Sequence, residues 1–234
     1  MSVSPEVRIN MNIPQLDAAL AEELASFDLP TFGHILESDF VEGLQRVAGG
    51  DRPVVGRVVT VQLAGTDSRM VHYSTALVQP GDFVVIETPG ATSHACVGGG
   101  VAQAYAAAGV VGVAVNGPTT DILELRESGL SFYSRGLSPF TTRNNDDPIA
   151  GAINVPVSVG GVRVVPGMIA FGDENGLLIT HAEVLRPLLA RVREMTNWEP
   201  PAMARVRNGE KLADMILPRE DLEALNALAQ RMDS

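Results

Sequence analysis

The sequence predicts a mixed α/β layered domain, and three observations carry that prediction. Apolar, β-branched runs of strand length alternate with helical segments through the centre of the chain. Two further runs flank Gly160-Gly161, a two-residue hairpin signal. The core-forming residues are mostly Ala, Gly and Val, with only 5% aromatics, which suits close packing of helices on a sheet.

Residues 14–27 carry apolar residues at helical spacing, with Pro14 near the start and acids in the early turns. Residues 31–48 read as a second helical segment ending at Gly49-Gly50. Val54 to Leu63 is a strand, His72 to Val78 a short helix closed by Pro80-Gly81-Asp82, and Phe83 to Glu87 a buried strand. An alanine-rich helix follows Gly98-Gly99-Gly100, and Val110 to Val115 is the longest apolar run, of strand size. Asp121 to Ser128 reads as a helix that Asp121 caps, with Glu124 at the capping-box position and Gly129 ending it. Leu130 to Arg135 is a strand, and the polar residues 138–149 a loop. Beyond the Val155–Val159 and Val162–Val165 hairpin, Met168–Phe171 and Leu177–Thr180 flank the turn 173–176. From His181 the chain is amphipathic and helical, with a link at Pro200-Pro201 and a last helix near 218–232. The layouts VQPGDFVVIE and VVPGMIAFGD resemble each other, which we read as repeated turn chemistry.

At 234 residues the chain suits one domain with an appendage: residues 1–180, and a helical extension over 181–234 that packs on the domain or on a neighbouring subunit. The formal charge of -11 and the lack of a basic cluster argue against a grip on nucleic acid. One cysteine, Cys96, excludes an intramolecular disulfide and a multi-cysteine metal site. No signal-peptide pattern and no membrane-length apolar run are found, so a cytoplasmic location without a membrane partner is expected. GGGVAQ lacks the spaced glycines of a dinucleotide fingerprint, and no Walker lysine follows.

The chemistry-bearing stretch is Gly98 to Asp121. Glycines before a helix let the backbone approach a ligand, while the first helical N–H groups point at it. The next strand delivers Asp121 to a turn at its carboxyl end, where open α/β sheets bind ligands. Together these make an anion or metal site; a tight connection with Asp121 as a plain N-cap is the structural alternative.

The landmarks LPTFGHILE, His72 ahead of QPGD, GGG, GVAVNGPTTD, SRGLSP, and INVPVSVGGVRVVPG followed by GDENGLLI resemble the RraA-like family in order and spacing, over roughly residues 30–180. That family includes the regulator of ribonuclease activity A and metal-dependent 4-hydroxy-4-methyl-2-oxoglutarate aldolases, some of which decarboxylate oxaloacetate. The resemblance implies a layered β/β/α swivelling-domain sandwich with mixed sheets and peripheral helices. It also implies homotrimers or hexamers with sites between subunits.

By the same resemblance, the backbone of Gly98, Gly99, Gly100 and Val101 holds the carboxylate and oxo oxygens of a small carboxylate substrate. Asp121 holds Mg²⁺ or Mn²⁺, mainly through waters, and His72 matches a family histidine near the site. Thr120 stands where the aldolases carry a substrate-gripping Arg, so a permanent bidentate contact becomes one neutral hydroxyl. That loss is worth roughly 2–4 kcal/mol of transition-state binding. Arg143, Arg135 and His94 are the candidates for a displaced cation.

Three functions compete. The first is a divalent-metal-dependent lyase on a 2-oxo acid, by retro-aldol cleavage or oxaloacetate decarboxylation through a stabilised enolate. The second is a non-catalytic regulator acting by protein contact, and the third a hydrolase or isomerase on another carboxylate. Cys96 beside a helix start is a candidate nucleophile without an evident base. Asp173 and Glu174 read as turn residues, His34 and His181 as structural residues at helix starts, and Glu199 as a residue placed to reach a neighbouring subunit.

Overall fold

The computed structural model describes residues 7–88, 93–143 and 148–232. The chain divides into two compact units, the first ending at Leu188 and the second beginning at Leu189.

In the first unit the early elements are β1 (Arg8–Ile9), α1 (Ala18–Leu24), α2 (Leu29–Gly33) and β2 (Gln45–Ala48). The centre follows with β3 (Val54–Leu63), α3 (Arg69–Ser74), β4 (Asp82–Glu87), α4 (Gly99–Ala107), β5 (Gly112–Val115), α5 (Ile122–Glu127) and β6 (Ser131–Ser134). Five short strands come next: β7 (Gly151–Ile153), β8 (Val157–Val159), β9 (Val162–Val164), β10 (Ile169–Asp173) and β11 (Gly176–Thr180). A short helix α6 (Ala182–Leu185) and a 3₁₀ turn close the unit.

Nine of these strands form one mixed sheet in the order β1-β7-β3-β4-β5-β6-β2, with β10 paired to β3 and β11 to β10. Strands β3 to β6 are mutually parallel, each joined to the next by a helical crossover, as parallel neighbours require. The ten-residue β3 is long enough to take two antiparallel partners on one side, β10 on its first half and β7 on its second.

Both faces of the sheet are covered, which is why β4 reads as unbroken apolar sequence rather than alternation. Val84 and Ile86 pack with Val101, Tyr105 and Leu125 on the helix side. Phe83 and Val85 pack with Val157, Val159 and Val164 of the β8–β9 hairpin on the other. The result is a helix layer, a sheet and a hairpin layer, the layered α/β class that the sequence predicts. The two-residue turn is made by Gly160 and Gly161, at φ 52° and 81°, where side chains are disfavoured.

Several expected elements differ. Residues 31–48 are not one helix: α2 ends at Gly33 and β2 pairs antiparallel with β6. Asp39 sits at φ 69°, and Val41 and Glu42 donate to Leu177 O and Gly160 O, so tertiary bonds replace the helical ladder. The first helix starts only at Ala18, because Asp17 caps it through Ala19 N and Leu20 N. Helix α3 begins at Arg69 rather than His72. His34 lies at the C-terminal end of α2, not at a start. Short strands β1 and β7 carried no readable pattern.

The second unit holds α7 (Leu189–Arg207), α8 (Leu212–Ile216) and α9 (Arg219–Met232). Pro200 and Pro201 are not a link; α7 runs through them. Their missing N–H groups cost the helix two ladder bonds, to the carbonyls of Thr196 and Asn197. No helix among the described residues is long and apolar enough to cross a membrane.

Candidate functional site

A cavity of about 350 Å³ opens at the carboxyl ends of β4 and β5, lined in part by Gly98, Gly100, Val101, Thr120 and Asp121. The turn carrying the last two is pinned from both sides. Thr120 N donates to Val97 O at 3.1 Å, and Thr119 N to Gly136 O at 3.0 Å. It therefore bridges the segments that leave β4 and β6.

Asp121 occupies the N-cap position of α5 but does not cap it. Its backbone is left-handed (φ 54°, ψ 49°), whereas a capping residue needs an extended one. The side chain turns to the neighbouring helix instead, where Oδ2 accepts from Gly99 N at 3.0 Å. Thr120 Oγ1 donates to Oδ1 at 3.3 Å. Glu124 forms no capping box; its side chain lies against Gly99.

The glycines thus divide by role. A Cβ at Gly98 would stand 2.5 Å from Asp121 Oδ2, and one at Gly99 would stand 2.8 Å from Glu124 Cβ. Both glycines let α4 close onto the start of α5. Only Gly100 has open space at that position. Gly100 and Val101 are the second and third residues of α4, so their N–H groups have no acceptor within the helix, beside the cavity they line.

The opposite wall comes from α3 and from the loop after β6. His72, Ser68 and Thr75 contribute the first, Thr141 and Thr142 the second. Thr142 N donates to Ala95 O at 3.0 Å, and Ala95 N to Phe140 O at 2.8 Å, which fix that loop. Sequence reasoning named His72 but missed these four hydroxyls; the only available signal was a Thr pair in a polar loop. Asp67, beside Ser68, is buried, which works to raise its pKa. Hydrogen bonds and charge from Arg69 outweigh that and hold the carboxyl below its ordinary value.

The remaining sequence candidates lie elsewhere. His94 is outside the lining, with Nδ1 3.1 Å from Ser93 Oγ and its ring against Phe140. Arg143 is exposed and outside the lining, its N–H donating to Thr66 O. Arg135 Nε donates to Asn116 Oδ1 at 2.9 Å, also outside it. Asp173 is structural: Oδ2 accepts from Leu29 N, capping α2, and Oδ1 accepts from Asn175 N in the hairpin turn. Glu174 is within 3.5 Å of Arg46. His181 is at the start of α6, and Glu199 is exposed on α7.

Cys96 does line the cavity, but burial pushes its thiol up to about 12. A nucleophilic thiolate is therefore disfavoured. Iodoacetamide at pH 8 is expected to label native Cys96 at least tenfold more slowly than the urea-unfolded chain; equal rates would contradict this.

An RraA-like family model, described as Aldolase/RraA, matches residues 28–179. The chain belongs to the RraA-like family. A Shewanella oneidensis protein named "Putative 4-hydroxy-4-methyl-2-oxoglutarate aldolase" is 35% identical over 137 residues, 58% of this chain and 80% of that protein. The RNA-processing inhibitor RraA from Thermus thermophilus is similar at TM-score 0.55 and 26% identity, covering 61% of this chain and 84% of that one. Streptomyces coelicolor RraAS2, described as an unusual member of the RNase ES inhibitor RraA family, superposes at TM-score 0.68. It covers 80% of this chain and 97% of its own, and at 22% identity it shows the shared fold. This RraA-like chain keeps Asp121 and the glycine-led helix of its sequence pattern on one cavity, with Thr120 between them.

Proposed function

We infer that this RraA-like protein is a divalent-metal-dependent lyase on a small 2-oxo acid, cleaving a 4-hydroxy-2-oxo acid to pyruvate or decarboxylating oxaloacetate. The observation that carries the reading is the meeting of the Asp121 carboxylate with the first turn of α4 on one cavity. The donor set fits a cation that keeps its water. Among the described residues, Asp121 is the one carboxylate of the lining, and no group of three or more His, Cys, Asp or Glu side chains is placed for a metal. Mg²⁺ and Mn²⁺ are bound in that way, through one or two carboxylates with several waters retained.

When bound, such an ion supplies Lewis-acid polarisation of the 2-oxo oxygen. The chain's own residues do the rest. The N–H groups of Gly100 and Val101 aim preorganised dipoles at oxygen atoms that gain charge as the C–C bond breaks. Asp121, held by Gly99 N, orients the hydrated cation. The His72 imidazole is the lining group able to take or return a proton.

The test uses the intact protein with Mg²⁺ and pyruvate in D₂O. Loss of the C3 methyl proton signal well above the protein-free rate is expected, together with pyruvate release from oxaloacetate or 4-hydroxy-4-methyl-2-oxoglutarate. Neither exchange nor release would end the lyase reading. Gly98→Ala is expected to preserve the fold and weaken Mg²⁺ binding about tenfold by calorimetry, because its Cβ displaces the Asp121 carboxylate. An unchanged affinity would refute that coupling.

A trimer or hexamer is part of the same proposal. Tyr73 and Phe140 adjoin the cavity residues His72 and Thr141 in sequence and Leu123 comes two residues after Asp121; the three are 51%, 64% and 66% exposed, apolar surface that a neighbouring subunit would cover. A solution mass three or six times 24.8 kDa is expected by light scattering, and a monomer would contradict it. The alternative, a regulator acting by protein contact, is favoured by one observation: among the described residues no Arg or Lys lines the cavity, and Thr120 stands where the aldolase pattern places a guanidinium. It predicts no pyruvate exchange and tight binding to a ribonuclease.

A further inference from the structure

We propose that the substrate is a 4-hydroxy-2-oxo acid whose chain beyond C4 is uncharged and hydroxylated, so that cleavage yields pyruvate and a neutral hydroxyaldehyde rather than a second carboxylate. The proposal rests on the lyase reading above and adds the chemistry of the leaving fragment.

It stands on how the cavity's polar atoms are already used. Five lining residues carry hydroxyls: Ser68, Thr75, Thr120, Thr141 and Thr142. Three of them donate their proton to the protein. Thr75 Oγ1 donates to His72 O at 2.8 Å, Thr142 Oγ1 to Ala95 O at 3.3 Å, and Thr120 Oγ1 to Asp121 Oδ1 at 3.3 Å. A hydroxyl whose proton is committed still offers lone pairs. Such a wall accepts hydrogen bonds, and a ligand hydroxyl can supply them. A carboxylate has none to give.

Charge points the same way. Arg and Lys are absent from the described lining. Arg69 is engaged by Asp67 and Arg135 by Asn116. Residues 89–92 and 144–147 contain no Lys or Arg in sequence. A dicarboxylate would bring a second anionic end against acceptor oxygens, without the bidentate partner such groups demand. A neutral hydroxylated tail meets complementary atoms instead.

The reaction balances without a further reagent. The C4 hydroxyl gives up its proton to a base, the C3–C4 bond breaks as C4 becomes an aldehyde carbonyl, and the electron pair passes to the pyruvate enolate. The enolate then takes one proton at C3. No oxidant or reductant is consumed.

The experiment compares two uncleavable 2-oxo acids of equal chain length by calorimetry, with Mg²⁺ present: 2-oxoglutarate and 5-hydroxy-2-oxopentanoate. At least tenfold tighter binding of the hydroxylated acid is expected. Equal or tighter binding of 2-oxoglutarate would overturn the proposal. Thr120→Arg restores a guanidinium and is expected to shift the ratio at least tenfold towards 2-oxoglutarate; no shift would count against it. Proton exchange at pyruvate C3 is read in the same samples. Exchange with a preference for the dicarboxylate removes the proposal alone, whereas absence of exchange removes the lyase reading and the proposal with it.

Discussion

Asp121→Asn is expected to cut Mg²⁺-dependent exchange of pyruvate C3 protons by about 10²–10³-fold while leaving the melting temperature nearly unchanged. The choice of Asn matters. Residue 121 has φ 54°, which Asn tolerates and Ala does not, so an Ala variant would mix backbone strain with loss of the carboxylate. The Asn amide oxygen can still accept from Gly99 N, which keeps the two helix starts joined. What disappears is the negative charge that orients a hydrated cation. Calorimetric Mg²⁺ binding should fall in parallel. Wild-type exchange in the Asn variant would show that this carboxylate serves only to hold α4.

The second large effect concerns stability. Arg57→Ala is expected to destabilise the first unit by about 3–5 kcal/mol, measured by urea unfolding. Arg57 is 6% and Asp82 1% exposed, and they pair where β3 and β4 run side by side. Arg57 Nε donates to Asp82 Oδ1 at 2.8 Å, and Asp82 Oδ2 accepts from Gln79 N at 2.7 Å. Removing the guanidinium leaves a buried carboxylate without a counter-charge. Burial already raises the Asp82 pKa above its ordinary 3.8, against the hydrogen bonds from Gln79 N and Arg57, and loss of Arg57 raises it further. A raised carboxyl contributes stability below its unfolded pKa and loses it as pH climbs through the folded value. The deficit of the variant should therefore be smallest in acid and widen only as pH rises past the point where Asp82 ionises in the folded wild type, which lies above the ordinary 3.8. A deficit under about 1 kcal/mol, or one that narrows with rising pH, would contradict this account.

The sequence was most legible where one residue type has one physical use. Val54–Leu63 is β3 to the residue, and Gly160-Gly161 closes the hairpin as its left-handed preference demands. The meeting of Gly98–Val101 with Asp121 was also readable, because the strand–turn order brings both to one end of the sheet. Partnerships across the chain were not readable. Gln45–Ala48 is a strand only because β6 lies beside it, and its local pattern is helical. Asp121 looked like a cap for its own helix, and only its left-handed backbone redirects it to Gly99. The hydroxyl wall escaped notice because Ser68, Thr75, Thr141 and Thr142 come from two segments that tertiary structure brings together.

The long strand β3 has a consequence for biosynthesis. One side is completed by β4 soon after it leaves the ribosome, but the other waits for β7 and β10. Until those late segments emerge, an apolar strand offers a row of unsatisfied backbone groups to any extended chain nearby. Premature termination before Gly151 leaves that row permanently bare, and termination between Ile153 and Ile169 leaves its first half bare, which makes the interval between translating Leu63 and Asp173 the stretch of greatest vulnerability to aggregation.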